Sequence, residues 1–186
     1  MKFDTILAKA GYLPDTSNQV WARPDYTGIA YSDGDEIENR IGAIIANAAD
    51  LSVFSIELAT GVTDWASLYH LSGNRANILR PFTETFADRT VLEIGAGCGA
   101  ITRFLGESGA HVLALEGTAR RAAIARSRTR DLSNVTVLAD RFEDLSLPLR
   151  FDVVTLIGVL EYAPLFTKGE DPPLHMLLKA RDLLKP

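Results

Sequence analysis

Glu93-Ile94-Gly95-Ala96-Gly97-Cys98-Gly99 ends an apolar run, Thr90 to Ile94, and opens an amphipathic one. An acid and three alternating glycines at such a junction predict a sharp strand-to-helix turn at which bare backbone approaches a ligand, since glycine has no Cβ to obstruct either. Ile101, Phe104 and Leu105 follow at helical spacing and would hold the next helix on a sheet. A tight turn without a ligand would explain one or two of these glycines. It gives no reason for three in alternation behind an acid.

Two fingerprints overlap here. Gly95, Gly97 and Ala100 fit the dinucleotide pattern G-x-G-x-x-G/A, while Glu93, Gly95, Gly97 and Gly99 fit the E/D-x-G-x-G-x-G pattern of enzymes that use S-adenosylmethionine (SAM). The loop alone leaves the cofactor open.

Downstream of the loop the sequence alternates strand and helix. Residues 91–94, 112–115, 135–138 and 153–157 read as buried parallel strands, and residues 100–108 and 118–130 as the helices between them. This is an α/β pattern, whose ligand is expected at the carboxyl ends of the strands. A helix starting near Pro173 should hand over to a fifth strand, but the sequence stops at Pro186. The fourth strand would then keep an unpaired edge, an invitation to dimerise or to pack on further parts of a longer chain.

Upstream, residues 1–80 show no such alternation and read as a mostly helical accessory segment, ahead of a cofactor domain over residues 81–186. The segment begins with a turn-rich stretch, residues 11–34. Asp33 with Glu36 resembles a capping box, starting a helix with Ile37, Ile41, Ile44, Ile45 and Ala48 on one face. A short helix is expected over residues 55–60, stopped by Gly61, and another over residues 75–86. These helices would cap the front of the following domain.

Composition narrows the function. The 186 residues carry a net charge of −5, which argues against a general nucleic-acid or anionic-membrane binder. One cysteine, Cys98, excludes an internal disulfide, and the scattered His70, His111 and His175 offer no metal-ligand spacing, so no metal is expected. The start Met1-Lys2-Phe3-Asp4-Thr5 carries an acid where a secretion signal would be apolar, and residues 41–49 are too short to span a bilayer. A cytoplasmic protein is expected. The arginines of residues 120–130 read as a solvated helix face, and Asp171-Pro172-Pro173 as a helix start.

SAM presents a ribose diol, an adenine, an amino-acid tail and a sulfonium, and no phosphate. Glu116, at the end of the second strand, is placed to accept both diol hydroxyls in charge-assisted bonds, although strand ends often carry a merely solvated acid. Asp140, at the end of the third, would accept from the adenine amino group, with a helix N-cap as the plainer role. After the fourth strand, Ile157-Gly158-Val159-Leu160-Glu161-Tyr162 would line the cleft.

Taken in order and spacing, these segments resemble the class I SAM-dependent methyltransferases over the second half of the chain. The resemblance implies a Rossmann-like parallel sheet whose later strands have no counterpart before Pro186. It implies SAM as cofactor and S-adenosylhomocysteine (SAH) as product. Glu93, Gly95, Ala96, Gly97 and Gly99 would hold the methionine end, Glu116 and Gly117 the ribose, Asp140, Arg141 and Phe142 the adenine, and Ile157, Gly158 and Val159 the cleft floor. Tyr69-His70-Leu71-Ser72 and the run from Arg75 to Phe82 look like bacterial methyltransferases found with cell-surface polysaccharide enzymes, in which Tyr69, His70 and Arg75 would close over the cofactor. Packing and capping roles explain each of the three singly just as well.

The expected activity is methyl transfer to a small-molecule or saccharide acceptor. His70 and Glu161 are candidate bases where the acceptor is a hydroxyl. A nicotinamide-dependent oxidoreductase accounts for the loop and Glu116 but not for Glu93, Asp140 and the fourth-strand segment together. A non-catalytic SAM-binding or scaffolding module within a larger protein is the other alternative.

Overall fold

The computed structural model describes residues 3–186; Met1 and Lys2, part of the start read above as lacking a secretion signal, lie outside the described residues. In chain order the elements are α1 (Asp4–Lys9), β1 (Leu13–Pro14), β2 (Trp21–Ala22), α2 (Asp35–Asn47), α3 (Ile56–Thr60) and α4 (Trp65–Leu71). There follow β3 (Thr90–Ile94), α5 (Ala100–Glu107), β4 (His111–Glu116), α6 (Ala119–Arg128), β5 (Val135–Ala139), β6 (Val153–Thr155), α7 (Ala163–Phe166) and α8 (Pro172–Asp182).

Six strands form one sheet in the order β1-β2-β5-β4-β3-β6, parallel throughout except for the β1–β2 hairpin. The two-residue periodicity of the strands sorts their side chains to two faces. Val91, Val112, Ala114, Val135 and Val137 pack with Ile101, Phe104, Leu105 and Ala122 of α5 and α6. Leu92, Ile94, Leu113, Leu115 and Leu138 pack with Phe3, Leu7 and Tyr12 on the N-terminal side and Met176 and Ala180 of α8. The chain builds β3, β4 and β5 outward in one direction and then returns to set β6 on the other side of β3. That reversal opens a crevice at the strands' carboxyl ends, where the glycine loop lies.

The first 80 residues contribute more than helices, because β1 and β2 extend the sheet beyond β5, with Trp21 and Ala22 opposite Leu138 and Ala139. An Asx turn makes the hairpin, Asp15 accepting from the amide of Ser17 at 2.7 Å. Residues 75–86 form not one helix but two 3-10 turns, Gly73–Ile78 and Arg80–Thr85. Pro81 sits within this stretch, lacks the N–H a continuous helix needs and crowds the preceding turn. The fourth strand of the α/β unit stops at Thr155 rather than Ile157, since Gly158 turns the chain at φ +73°.

Asp33 does not cap α2. The helix starts at Asp35 after Gly34 without a side-chain cap, and Asp33 is drawn into charge-assisted contacts described below. The arginines of residues 120–130 are a solvated face only in part: Arg120 and Arg130 are exposed, whereas Arg121 and Arg128 are buried. Arg128 is fully buried and donates to the carbonyls of His70 and Leu71, while Arg130 donates to those of Ile45 and Ala48. These acceptors lie at or just past the C-terminal ends of α4 and α2, where helices leave carbonyls without internal partners. Guanidinium forks satisfy them and fasten the helical segment to α6. Beside β6, Leu184 bridges to Phe151, with Phe151 N–H donating to the Leu183 carbonyl at 2.8 Å, so the expected bare edge is paired at that level. No helix among the described residues is long and apolar enough to cross a membrane.

Candidate active site

The loop after β3 carries its three glycines at positive φ, +76°, +55° and +82° at Gly95, Gly97 and Gly99, for different physical reasons. A Cβ on Gly99 would stand 2.9 Å from Ala125 Cα, so this glycine lets α6 pack against the loop. A Cβ on Gly97 would meet nothing within 4 Å, because that face is the open cleft. The loop is pinned from β4, with Gly95 and Ala96 N–H both donating to the Leu115 carbonyl at 2.9 and 3.0 Å.

Three acids stand around it. Glu116 accepts from Gly97 N–H at 2.7 Å with one oxygen, and from the amide and hydroxyl of Thr118, both at 2.9 Å, with the other. Glu93 lies beneath the loop, 4% exposed, and its Oε2 is buried without a partner. Burial, with the nearby charge of Glu116, pushes its carboxyl up to about 7, against the pull of Thr102 and Arg75. Asp140 is 1% exposed and is held by Tyr12, Arg23 and the amide of Arg141, the last at 2.9 Å.

The helical segment supplies the opposite wall. Arg75 stacks over the Tyr69 ring, 3.8 Å from its centroid, and donates to the Tyr69 hydroxyl at 2.9 Å. Gly158, after β6, runs beneath this pair; a Cβ there would be 2.8 Å from the Tyr69 oxygen. His70 is buried, with Nε2 2.7 Å from Asp33, and burial pushes its pKa down. Arg121 makes a 2.8 Å bond to Glu38 and lies 2.9 Å from Asp33, in ion-pair range but off hydrogen-bond geometry.

Of the residues singled out in the sequence, Glu93, Gly95, Ala96, Gly97, Glu116, Gly117, Asp140, Arg141, Phe142, Tyr69, His70, Arg75, Gly158 and Val159 line one cleft. Gly99 sits behind the loop against α6. Ile157 packs into the core, and Glu161 is exposed outside the lining. Cys98 also lines the cleft, but burial pushes its thiol up to about 12, unlike an activated nucleophile. Among the described residues no three or more His, Cys, Asp or Glu are grouped to hold a metal ion.

The sequence profile that describes a methyltransferase domain matches residues 92–186, just over half of the chain and the loop-bearing α/β unit from within β3 onward. The chain belongs to this methyltransferase family. Its similarity to known proteins extends further. The N-terminal domain of EvdMO1, solved with SAH bound, is 26% identical at a TM-score of 0.55, over 80% of this chain and 61% of that one. Ubiquinone biosynthesis O-methyltransferase of Histophilus somni (strain 2336) is 25% identical over 132 residues, 66% of this chain and 52% of the relative. A 65-residue stretch is 45% identical to ribosomal RNA small subunit methyltransferase A of Streptococcus sanguinis (strain SK36), covering 33% of this chain and 22% of that protein. This methyltransferase domain thus spans about half or less of the length of these curated relatives.

Several lining residues of the methyltransferase cleft carry no local sequence signal: Ile29 and Tyr31 from the strap before α2, Trp65, Arg121 and Phe166; Tyr162 lines it as expected, and Asp33, read as a cap, lines it too. The strap is fastened by Ile29 N–H and the Tyr26 hydroxyl, both donating to the Gly117 carbonyl. Gly117 itself was a visible clue. A Cβ there would lie 2.5 Å from Ile29, so this glycine after β4 is bare because another segment closes over it.

Proposed function

We propose that this chain binds SAM in the cleft and transfers its methyl group to a small-molecule or saccharide acceptor. The observation that carries the reading is Glu93, a buried carboxylate with an unpartnered oxygen below the glycine loop. A cationic ligand group would complete it, whereas the pyrophosphate of a dinucleotide would face Glu93 and Glu116 and find the Gly97 N–H already engaged by Glu116. The residues fit SAM in kind: Glu93 and the loop backbone toward the amino-acid tail, Glu116 toward the ribose diol, and Asp140 beside Phe142 toward the adenine. The similarity to the SAH-bound domain of EvdMO1 supports the same ligand class.

When bound, the cofactor supplies an electrophilic methyl carbon on a sulfonium. The protein's work is then to align and to exclude water, contributions that reach ~7–11 kcal/mol in well-oriented systems. Tyr69 and Arg75 close one wall over Gly158. For a hydroxyl acceptor His70 is the base, because its buried ring is kept neutral and Asp33 orients it through Nε2. Tyr31 makes edge-on ring contacts with Tyr162 and Phe166, giving the acceptor side an apolar, aromatic wall. The single free thiol, buried at Cys98, is compatible with a cytoplasmic enzyme.

Calorimetry with SAM, SAH, NAD and NADP tests the reading. SAM and SAH are expected to bind and the nicotinamide cofactors not to. Glu116→Gln should weaken SAM and SAH together by roughly 1.5–3 kcal/mol, the range for a hydrogen bond to a charged group. NAD binding without SAM binding would overturn the assignment.

A further inference from the structure

Asp140 is clamped from the far end of the chain. Tyr12, fully buried just before β1, donates its hydroxyl to Asp140 Oδ2. Arg23, just after β2, reaches Oδ1 at 3.3 Å and lies 3.1 Å from Oδ2. The two clamp residues are themselves joined, Arg23 donating to the Tyr12 hydroxyl at 2.9 Å and to the Asp144 carbonyl at 2.8 Å. The guanidinium lies 5.0 Å from the centroid of the Tyr12 ring. Burial and the negative charge of Asp140 both push the Tyr12 phenol upward, so it remains a donor. The Asp140 side chain is wholly buried while Arg23 stays about one-third exposed.

A buried carboxylate without partners protonates or turns away, and a protonated one can donate where an acceptor is needed. Tyr12 and Arg23 occupy the inner lone pairs of Asp140 and neutralise its charge. A carboxylate has about four acceptor positions, and its three hydrogen bonds here, from Tyr12, Arg23 and the Arg141 amide, leave capacity for one more donor from the cleft. We propose that Tyr12 and Arg23 are positioning residues that make Asp140 a fixed acceptor for the 6-amino group of the nucleoside base, so that the β1–β2 hairpin sets the cofactor's base specificity. This rests on the SAM reading and on the place of Asp140 at the base end of the cleft.

The test is a ratio of affinities, measured by calorimetry on the full chain, for SAH and for S-inosylhomocysteine, in which a carbonyl replaces the amino group. The parent is expected to prefer SAH tenfold or more, the range of a charge-assisted hydrogen bond. Asp140→Asn should collapse that preference. Tyr12→Phe should lower it severalfold and Arg23→Met further, with the affinity of S-inosylhomocysteine little changed; Arg23→Lys should restore only part of it, having charge without the fork. A loss of stability alone would weaken both ligands alike and leave the ratio intact. If Asp140→Asn removes the preference but Tyr12→Phe and the folded Arg23 variants keep it, the clamp proposal is wrong. If Asp140→Asn leaves the preference untouched, or the parent binds no SAH, the underlying reading fails instead.

Discussion

Residues 93–99 and residues 12–33 face the same cleft by opposite means. The loop acts through its backbone: positive-φ glycines, amides held by Leu115 and Glu116, and one face left bare for a ligand. Most of its contacts follow from the strand before it, the helix after it and the neighbouring strand. The strap and hairpin act through side chains whose partners are far along the chain, Tyr12 on Asp140, Tyr26 on Gly117 and Asp33 on His70. In this methyltransferase domain a local motif shapes the loop, and distant polar contacts fasten the groups around it.

The largest effects should separate two glycines within the loop. Gly97→Val puts a branched side chain into the open cleft at a left-handed backbone position, and is expected to abolish SAM and SAH binding by calorimetry. The backbone strain, on the order of 1–3 kcal/mol, should leave the protein folded. Gly99→Val drives the new Cβ against the Ala125 backbone at 2.9 Å, and should lower the urea midpoint well beyond the Gly97 variant. Equal losses of stability, or Gly97→Val binding SAM as the parent does, would erase the distinction.

That distinction also marks what a sequence discloses. The parallel strands, α5 and α6 were legible because buried strands and amphipathic helices write their periodicity into consecutive residues, and Glu93, Glu116 and Asp140 because each ends a readable strand. The capping box at Asp33 failed because a charge-assisted contact with His70 competed with a local cap and won. Tyr12 and Arg23 are invisible in sequence, since a two-residue strand has no period and a partner more than a hundred positions away leaves no local mark. The buried arginines of α6 misled for the same reason. Their partners lie on other helices, the Glu38 carboxylate of α2 for Arg121 and the carbonyls of His70 and Leu71 in α4 for Arg128.

A second prediction sharpens the loop's side of the comparison. With Glu93 raised to about 7 by burial, the folded protein holds a proton that the unfolded chain releases near the ordinary glutamate value of 4.5. Its stabilising contribution is full below that ordinary value and is lost as pH rises through about 7, a fall on the order of 3 kcal/mol. Urea denaturation across this range should show the slope in the unliganded parent and its absence in Glu93→Gln. A cationic group on Glu93 favours the ionised form, so SAH affinity should rise about tenfold between pH 6 and 8, and this rise too should vanish in Glu93→Gln. A flat SAH affinity in the parent would remove Glu93 from the ligand's contacts.

The smallest effect belongs to the strap. Asp33 is about one-third exposed and reaches His70 and Arg121, so Asp33→Asn should cost no more than ~1 kcal/mol in stability. Its signature is in the titration of His70. Burial pushes that pKa down, Arg121 adds to the fall, and Asp33 with Glu38 opposes it. A depressed base makes the folded state bind fewer protons than the unfolded one, so this contribution to stability is present above the ordinary histidine range and is lost as pH falls below it. Removing the Asp33 charge should move the His70 titration lower still, followed by NMR of the His70 ring. With His70 as the proposed base, kcat on a hydroxyl acceptor should fall while SAM affinity holds, because the ring loses its orienting partner and the loop of residues 93–99 is untouched. A His70 titration that moves upward, or a loss of SAM affinity matching that of kcat, would mean that strap and loop are one cooperative unit rather than two separable parts.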